Sequence, residues 1–339
     1  MKHKAPEDRL PFVGLLAPKF GAVKRLEFHM SYVCNQTCIF CSESVRMDTH
    51  VRSPLTLEEM VRVVLRKRKE GCEHITFVGG EPTVVPQFLD LLKVTKKLGY
   101  KTLLITNGGR MSQDKFALEA LPLLDEMVIS IHGHTSELHD TLVHEELSFK
   151  KINKLFGMLG RMKQKPFVIT NTVVLKQNIA HVSDIVGYLS GVAAVDHILL
   201  SNIAPDGRAL EHYLDQAIRL SELGKLAPRL SAAAVRGGKV LRYFGMPLCV
   251  LGEAWEDSND LHWNPRTNVE RAFIDGKAGL EDTWNYTPER MRYYPAKCGG
   301  CAWKSKEKCV GVFQTYYEHF GDGDLSPVRE ASVSGRRRP

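Results

Sequence analysis

From Lys24 to Ser201 the hydrophobic pattern switches repeatedly between a period of two and the longer period of a helix, which marks strands and helices in alternation. In Lys24–Tyr32, Leu26, Phe28 and Met30 fall on one face and Glu27, His29 and Ser31 on the other. Thr56–Glu70 has helical spacing, with Ser53 or Thr56 as its cap, Glu58 and Glu59 in the first turn and Gly71 at its end. Further strands are expected over His74–Val78, Lys101–Thr106, Glu126–Ile131, Phe167–Leu175 and Asp196–Ser201, with helices over Phe88–Leu98, Ser112–Leu121, Phe149–Met162 and His181–Leu189. Six βα repeats predict an α/β fold, a parallel sheet with right-handed helical crossovers that curls into a partial (β/α)6 barrel. Chemistry in such barrels gathers at the C-terminal ends of the strands.

The pattern changes after Ser201. Asn202–Arg208 reads as a loop, and Glu211–Gly237 has helical spacing broken by Pro228. From Tyr243 the chain turns rich in Gly, Pro, Trp and Tyr with little periodicity. The expected division is a lead-in over 1–23, the barrel over 24–203, a helical connection over 204–240, a small irregular Cys-rich C-terminal domain over 241–325 and a mobile tail over 326–339.

Composition narrows the class. Of 339 residues, 43% are hydrophobic and 25% charged, as in ordinary globular chains. The chain contains no apolar run long enough to span a membrane and no apolar stretch of a signal peptide behind its basic start, so a cytoplasmic protein is expected. Its eight cysteines then read as metal ligands rather than disulfides. The net charge of +7, partly in Arg66-Lys67-Arg68-Lys69 and Arg336-Arg337-Arg338, reads as a solvated face and a tail rather than as attraction for an acidic peptide or a phosphate-bearing substrate, and no nucleic-acid partner is expected.

The candidate chemistry begins at Cys34-Asn35-Gln36-Thr37-Cys38-Ile39-Phe40-Cys41, directly after the first strand. Three thiolates in one short loop can hold three irons of a [4Fe–4S] cube and leave the fourth open for another ligand. Half of a zinc site and three buried cysteines are the alternatives. Gly79-Gly80-Glu81-Pro82, Thr106-Asn107-Gly108 and Ser130-Ile131-His132 all follow strands at the same end of the barrel.

Cys34-x3-Cys38-x2-Cys41 followed by Gly79-Gly80-Glu81-Pro82 resembles the radical S-adenosylmethionine (SAM) superfamily, over roughly residues 24–203. The resemblance implies that SAM chelates the open iron and is cleaved reductively to a 5′-deoxyadenosyl radical, which abstracts a substrate hydrogen. It implies an electron donor such as flavodoxin or ferredoxin. Phe40 matches the aromatic near the adenine, Gly79, Gly80, Glu81 and Pro82 a SAM-binding turn, with Glu81 as an anion for the SAM ammonium. Ser130 matches a ribose contact and Asn171 a polar residue near the methionyl end. Asn107 falls on the same rim.

Cys249, Cys298, Cys301 and Cys309 resemble the auxiliary-cluster extensions called SPASM and Twitch, and imply a second [4Fe–4S] cluster. Four-cysteine structural zinc is the alternative. The inward face of the first strand makes Glu27 and His29 candidates for substrate contact, and His132 and His134 candidates for proton transfer. The expected substrate is a ribosomally made peptide; the alternative is a sugar, nucleotide or amino-acid derivative. The stretch before the first strand is shorter than a winged-helix peptide-recognition module.

Overall fold

The computed structural model describes residues 23–49, 55–262, 264–274, 277–285 and 291–329. Nearly all of the expected lead-in and the Arg336–Arg338 run lie outside them. Nine strands form one sheet in the order β7-β6-β5-β4-β3-β2-β1-β8-β9. They are β1 Arg25–Ser31, β2 His74–Gly79, β3 Lys101–Thr106, β4 Glu126–Ser130, β5 Phe167–Val174, β6 His197–Asn202, β7 Val240–Phe244, β8 Arg266–Ile274 and β9 Lys277–Asn285. Neighbours from β7 through β1 to β8 pair in parallel, and β9 returns antiparallel to β8.

Helices that pack around the sheet include α1 Ser44–Thr49, α2 Leu57–Lys69, α3 Phe88–Lys97, α4 Asp114–Ala120, α5 Ser136–Val143, α6 Ser148–Gly160, α7 Val182–Gly191 and α8 Leu220–Arg236. Thr56 caps α2 in a reciprocal box with Glu59, as its sequence predicts. The core lies between helices and sheet. Leu26, Phe28 and Met30 of β1 are fully buried there beside Ile75, Phe77 and Leu104, so the opposite face of each strand looks into the barrel. That alternation is what carries polar side chains to the lumen.

The structure departs from the sequence reading in five places. The helix expected to break at Pro228 continues through it, because Leu220, Leu223, Ala227, Leu230 and Ala234 bury one continuous stripe and packing outweighs the lost backbone bond. Helix α5, capped by Thr135, lies where no element was expected. The boundary drawn at 241 falls inside the sheet, since β7 is its seventh strand. Arg266–Asn285, expected to be irregular, forms the hairpin β8–β9 on the opposite edge. The tail expected to be mobile from Ser326 is docked over its first residues: Ala302 N–H donates to Val328 O at 2.8 Å and Arg329 Nη1 to Gly299 O at 2.8 Å.

The remaining C-terminal residues form a small unit around β10 Arg292–Tyr293 and β11 Val312–Phe313, paired antiparallel. Its apolar centre is Leu248, Cys301 and Trp303, with Trp255 tilted against Trp303 at 5.2 Å between ring centroids. Arg292 reaches from it to Asp260 at 3.5 Å, both side chains buried, and lies over the Phe313 ring at 3.8 Å.

Candidate active site

The cysteine loop leaves β1 and is pinned on several sides. Thr37 and Ile39 donate backbone bonds to Val143 and Leu142 at the end of α5, at 3.3 and 3.1 Å. Arg208 N–H donates to Cys41 O at 3.1 Å, and Gln216 Nε2 to Ile39 O at 3.0 Å. Gln36 Nε2 donates to Ser148 Oγ at 2.9 Å, Ser148 Oγ meets His139 Nε2 at 3.1 Å, and His139 Nδ1 accepts from His132 N–H at 3.0 Å. The loop is thereby tied to α6 and to the end of β4. No cysteine in the described residues is in a disulfide, and Cys34, Cys38 and Cys41 are half-buried and together line one cavity. Burial pushes the Cys34 thiol up to about 11 and raises Cys38 and Cys41 as well. Such thiols ionise when a metal replaces the proton.

Beside this loop the Gly79-Gly80 turn presses against the chain leaving β1. A Cβ at Gly79 would sit 2.3 Å from Ser31 O, on a backbone with φ +127°, and one at Gly80 would sit 2.3 Å from Val33 O. Only glycine fits either place. Glu81, 1% exposed, accepts from Thr83 N–H at 3.1 Å, Thr83 Oγ1 at 2.5 Å, Thr106 Oγ1 at 2.8 Å and Asn107 N–H at 2.7 Å. Its pKa is raised by burial, with these bonds pulling the other way. The sequence reading gave Glu81 to a cofactor ammonium; in the fold its carboxylate also locks the end of β2 to the end of β3. Asn107 extends the lock, donating to Asn35 Oδ1 in the cysteine loop at 2.8 Å.

The cavity measures about 640 Å³ and runs down the inside of the barrel, from the cysteines to the starts of β1, β6 and β8. Phe40, Gly79, Gly80, Glu81, Asn107, Ser130, His132 and Asn171 all line it; Pro82, buried in the turn that follows, is not among the lining residues. Asn171 Oδ1 accepts from Ser201 Oγ at 2.6 Å. Phe40 stands edge-on to His132 at 4.5 Å. His132 is buried and its pKa lies well below the usual range, from burial and then from neighbouring His139. Its Nδ1 accepts from Val173 N–H at 3.2 Å and its carbonyl from Asn178 Nδ2 at 3.1 Å, so the ring is neutral with its proton on Nε2. His134 is not among the lining residues and stands beside His181 and Asp184.

Glu27 and His29 do face the cavity, in a network that β8 completes. Arg266 Nη1 donates to Glu27 Oε2 at 2.6 Å, and His29 Nε2 lies 3.5 Å from Glu27 Oε1. Tyr32 Oη stands 3.1 Å from His29 Nδ1 and donates to Glu270 Oε2. Burial works to raise Glu27, but Arg266 and His29 overcome it and hold the carboxyl at about 2. Burial works to lower His29, but Glu27, with Glu43 and Glu270, lifts it above its ordinary value. The sequence reading missed Arg25, Tyr32, His197, Arg266, Asn268 and Glu270. The signal for β8 was present as polar residues at Arg266, Asn268 and Glu270, every second position, against buried Thr267 and Val269.

A second group of thiols gathers in the C-terminal unit. Cys249, Cys298, Cys301 and Cys309 line one small closed pocket under Trp303 and Leu325. Burial raises Cys249 to about 12, and each of the other three thiols adds to the rise. Among the described residues, His134, His181 and Asp184 are a three-donor set with ligand atoms within 4.8 Å of one another. Four cysteines around one pocket are a donor set that fits either a [4Fe–4S] cluster or zinc.

The family comparisons agree with this geometry. Residues 28–189 match the model described as the radical SAM superfamily. The chain is 29% identical over 168 residues to an S-adenosylmethionine-dependent nucleotide dehydratase of Flammeovirga pacifica, covering 46% of this chain and 56% of that protein. It is 30% identical over 169 residues to one of Lacinutrix mariniflava, covering 47% and 35%. The chain thus spans about half the length, or less, of these curated relatives. Among solved structures, Streptococcus suis SuiB bound to S-adenosylmethionine superposes with TM-score 0.61 at 15% identity, over 90% of this chain and 76% of that one. anSMEcpe with bound AdoMet and the Cp18Cys peptide superposes with TM-score 0.56 at 16% identity, over 89% and 92%. These two share the fold. With the three-cysteine loop, the Gly-Gly-Glu-Pro turn and the parallel barrel in place, the chain is similar to the radical SAM superfamily over residues 28–189 of its barrel.

Proposed function

We propose that this protein is a radical SAM enzyme that abstracts a hydrogen atom from a small molecule held inside the barrel. Cys34, Cys38 and Cys41 would hold the [4Fe–4S] cluster, and the turn at Gly79–Pro82 with Phe40, Asn107, Ser130 and Asn171 would hold SAM. When bound, these groups supply a 5′-deoxyadenosyl radical. The protein's own part is position and exclusion of water: the cysteine loop is fixed on four elements, and the lumen wall is continuous on the β1 side because β8 covers it. Glu27, His29, Tyr32 and Glu270 offer a hydrogen-bonded chain along which a proton can be held or moved beside the substrate.

The observation that carries the small-molecule reading is β8. It closes the barrel edge beside β1 and turns Arg266, Asn268 and Glu270 into the cavity, giving a walled lumen of compact-ligand size. The nucleotide dehydratases named above supply a precedent within the shared sequence. A peptide substrate, the first expectation from sequence, is supported by the fold shared with SuiB, solved with its precursor peptide SuiA, and with anSMEcpe. The C-terminal cysteines would hold an auxiliary cluster, and the electron donor would be a flavodoxin or ferredoxin. The test is isotopic. With deuterated ribonucleotides and deuterated peptide offered separately to the reconstituted enzyme, deuterium should enter 5′-deoxyadenosine from the former; transfer from peptide alone would reverse the assignment.

A further inference from the structure

The end of the lumen farthest from the cysteines is lined by basic and orphaned polar groups that the radical chemistry does not use. Arg25 opens β1, Arg266 opens β8 in register with it, and His197 opens β6; all three line the cavity, as does His262. Arg25 and Arg266 are near enough to depress the Arg25 pKa, after burial, while Glu126 offsets part of this. Arg266 is neutralised by Glu27. Among the described residues, no hydrogen bond or ion pair engages the Arg25 guanidinium. His197 Nε2 and Asn268 Oδ1 are buried with no partner among the described residues. Buried polar atoms normally find one, so an orphaned imidazole nitrogen on β6 and an orphaned acceptor on β8 line the same cavity as a guanidinium on β1 with no hydrogen bond or ion pair among the described residues.

From this placement, and resting on the reading that the lumen takes a small molecule, we infer that Arg25 and His197 form a subsite for the phosphate end of the substrate, with Arg266 and Asn268 beside it. A guanidinium pairs with phosphate through two parallel N–H bonds, and donors from separate strands suit an anion with several terminal oxygens. The reach agrees. Arg25 lies four residues below His29 on β1, roughly 13 Å at the rise of a strand, enough for a nucleotide whose base or sugar lies at the radical end and whose phosphates lie at the floor. Asn268 Oδ1 cannot accept from phosphate; it is placed to accept from a substrate hydroxyl or amino group.

The subsite is tested by equilibrium binding to the cluster-loaded protein with SAM present, using inorganic pyrophosphate, the four ribonucleoside triphosphates and the corresponding nucleosides. At least one triphosphate should bind ten-fold or more tightly than its nucleoside, and pyrophosphate should compete with it. Arg25→Gln should weaken the triphosphate and pyrophosphate at least ten-fold, and His197→Phe should weaken them less, while Lys93→Gln on the outer surface changes neither. Iron content and thermal melting of each variant report whether it has folded. Equal binding of nucleoside and triphosphate, no binding of any phosphorylated probe, or unchanged binding in folded Arg25→Gln overturns the subsite. Binding is read without turnover, so a lack of hydrogen abstraction from small molecules would overturn the function while leaving an Arg25-dependent phosphate site standing.

Discussion

Arg266 at the start of β8 and Glu27 on β1 form an ion pair at 2.6 Å inside the barrel, each side chain 14% exposed. The contact joins two strands 239 residues apart and lies on the wall that separates the lumen from the sheet's far edge. It ties the edge strand's position to the charge state of the cavity.

Breaking that pair from one side should be costly. Arg266→Ala leaves a buried carboxylate uncompensated and should destabilise the protein by about 3 kcal/mol in urea unfolding. Pairing it with Glu27→Gln should recover much of the loss, a coupling that a double-mutant cycle measures directly.

The pair also sets an acid limb of stability. Glu27 is held at about 2 in the fold, against an ordinary 4.5, so its contribution is fully present above the unfolded value and is lost as pH falls through the folded one. Glu27→Gln should flatten the pH dependence of unfolding between those two values. The same substitution removes a main support of the raised His29 pKa. Titration of His29 by NMR should move down, and the stability that charged His29 adds, present below its unfolded pKa and lost as pH rises through the folded one, should shrink.

Gly79→Ala and Gly80→Ala each drive a Cβ to 2.3 Å from a backbone oxygen next to the cysteine loop. Backbone cannot yield as a side chain tip does, so both variants should lose SAM binding, seen by equilibrium dialysis, and lower the melting temperature.

Glu81→Gln replaces an acceptor of four bonds by an amide whose NH2 must face a donor, Thr83, Thr106 or Asn107. One buried donor left unsatisfied costs about 1–3 kcal/mol. The variant should still fold but bind SAM more weakly, because the rim between β2 and β3 loosens.

Much of the barrel was legible because a parallel βα repeat prints its period into the chain: β1, β3 and the Thr56 cap of α2 follow directly from spacing. The cysteine loop and the Gly-Gly-Glu-Pro turn were legible because their residue types have few other uses at that spacing. The β8–β9 hairpin was not, since its inward face is charged and a strand reading looks for apolar alternation. Helix α8 hid behind Pro228, whose local preference is outweighed by a buried stripe. Glu81 shows a different limit: its identity predicts an anion at the rim, but its bonds to Thr106 and Asn107 depend on a register that no single stretch of sequence contains.

Cys34, Cys38 and Cys41 are expected to hold the cluster that cleaves SAM, with a second cluster on Cys249, Cys298, Cys301 and Cys309. Anaerobic reconstitution should give about 8 Fe per chain, falling to about 4 in Cys301→Ala. The most direct measurement is 5′-deoxyadenosine released after addition of reductant and SAM. Wild-type protein should release it and Cys38→Ala should not; release from folded Cys38→Ala at the wild-type rate would contradict the account.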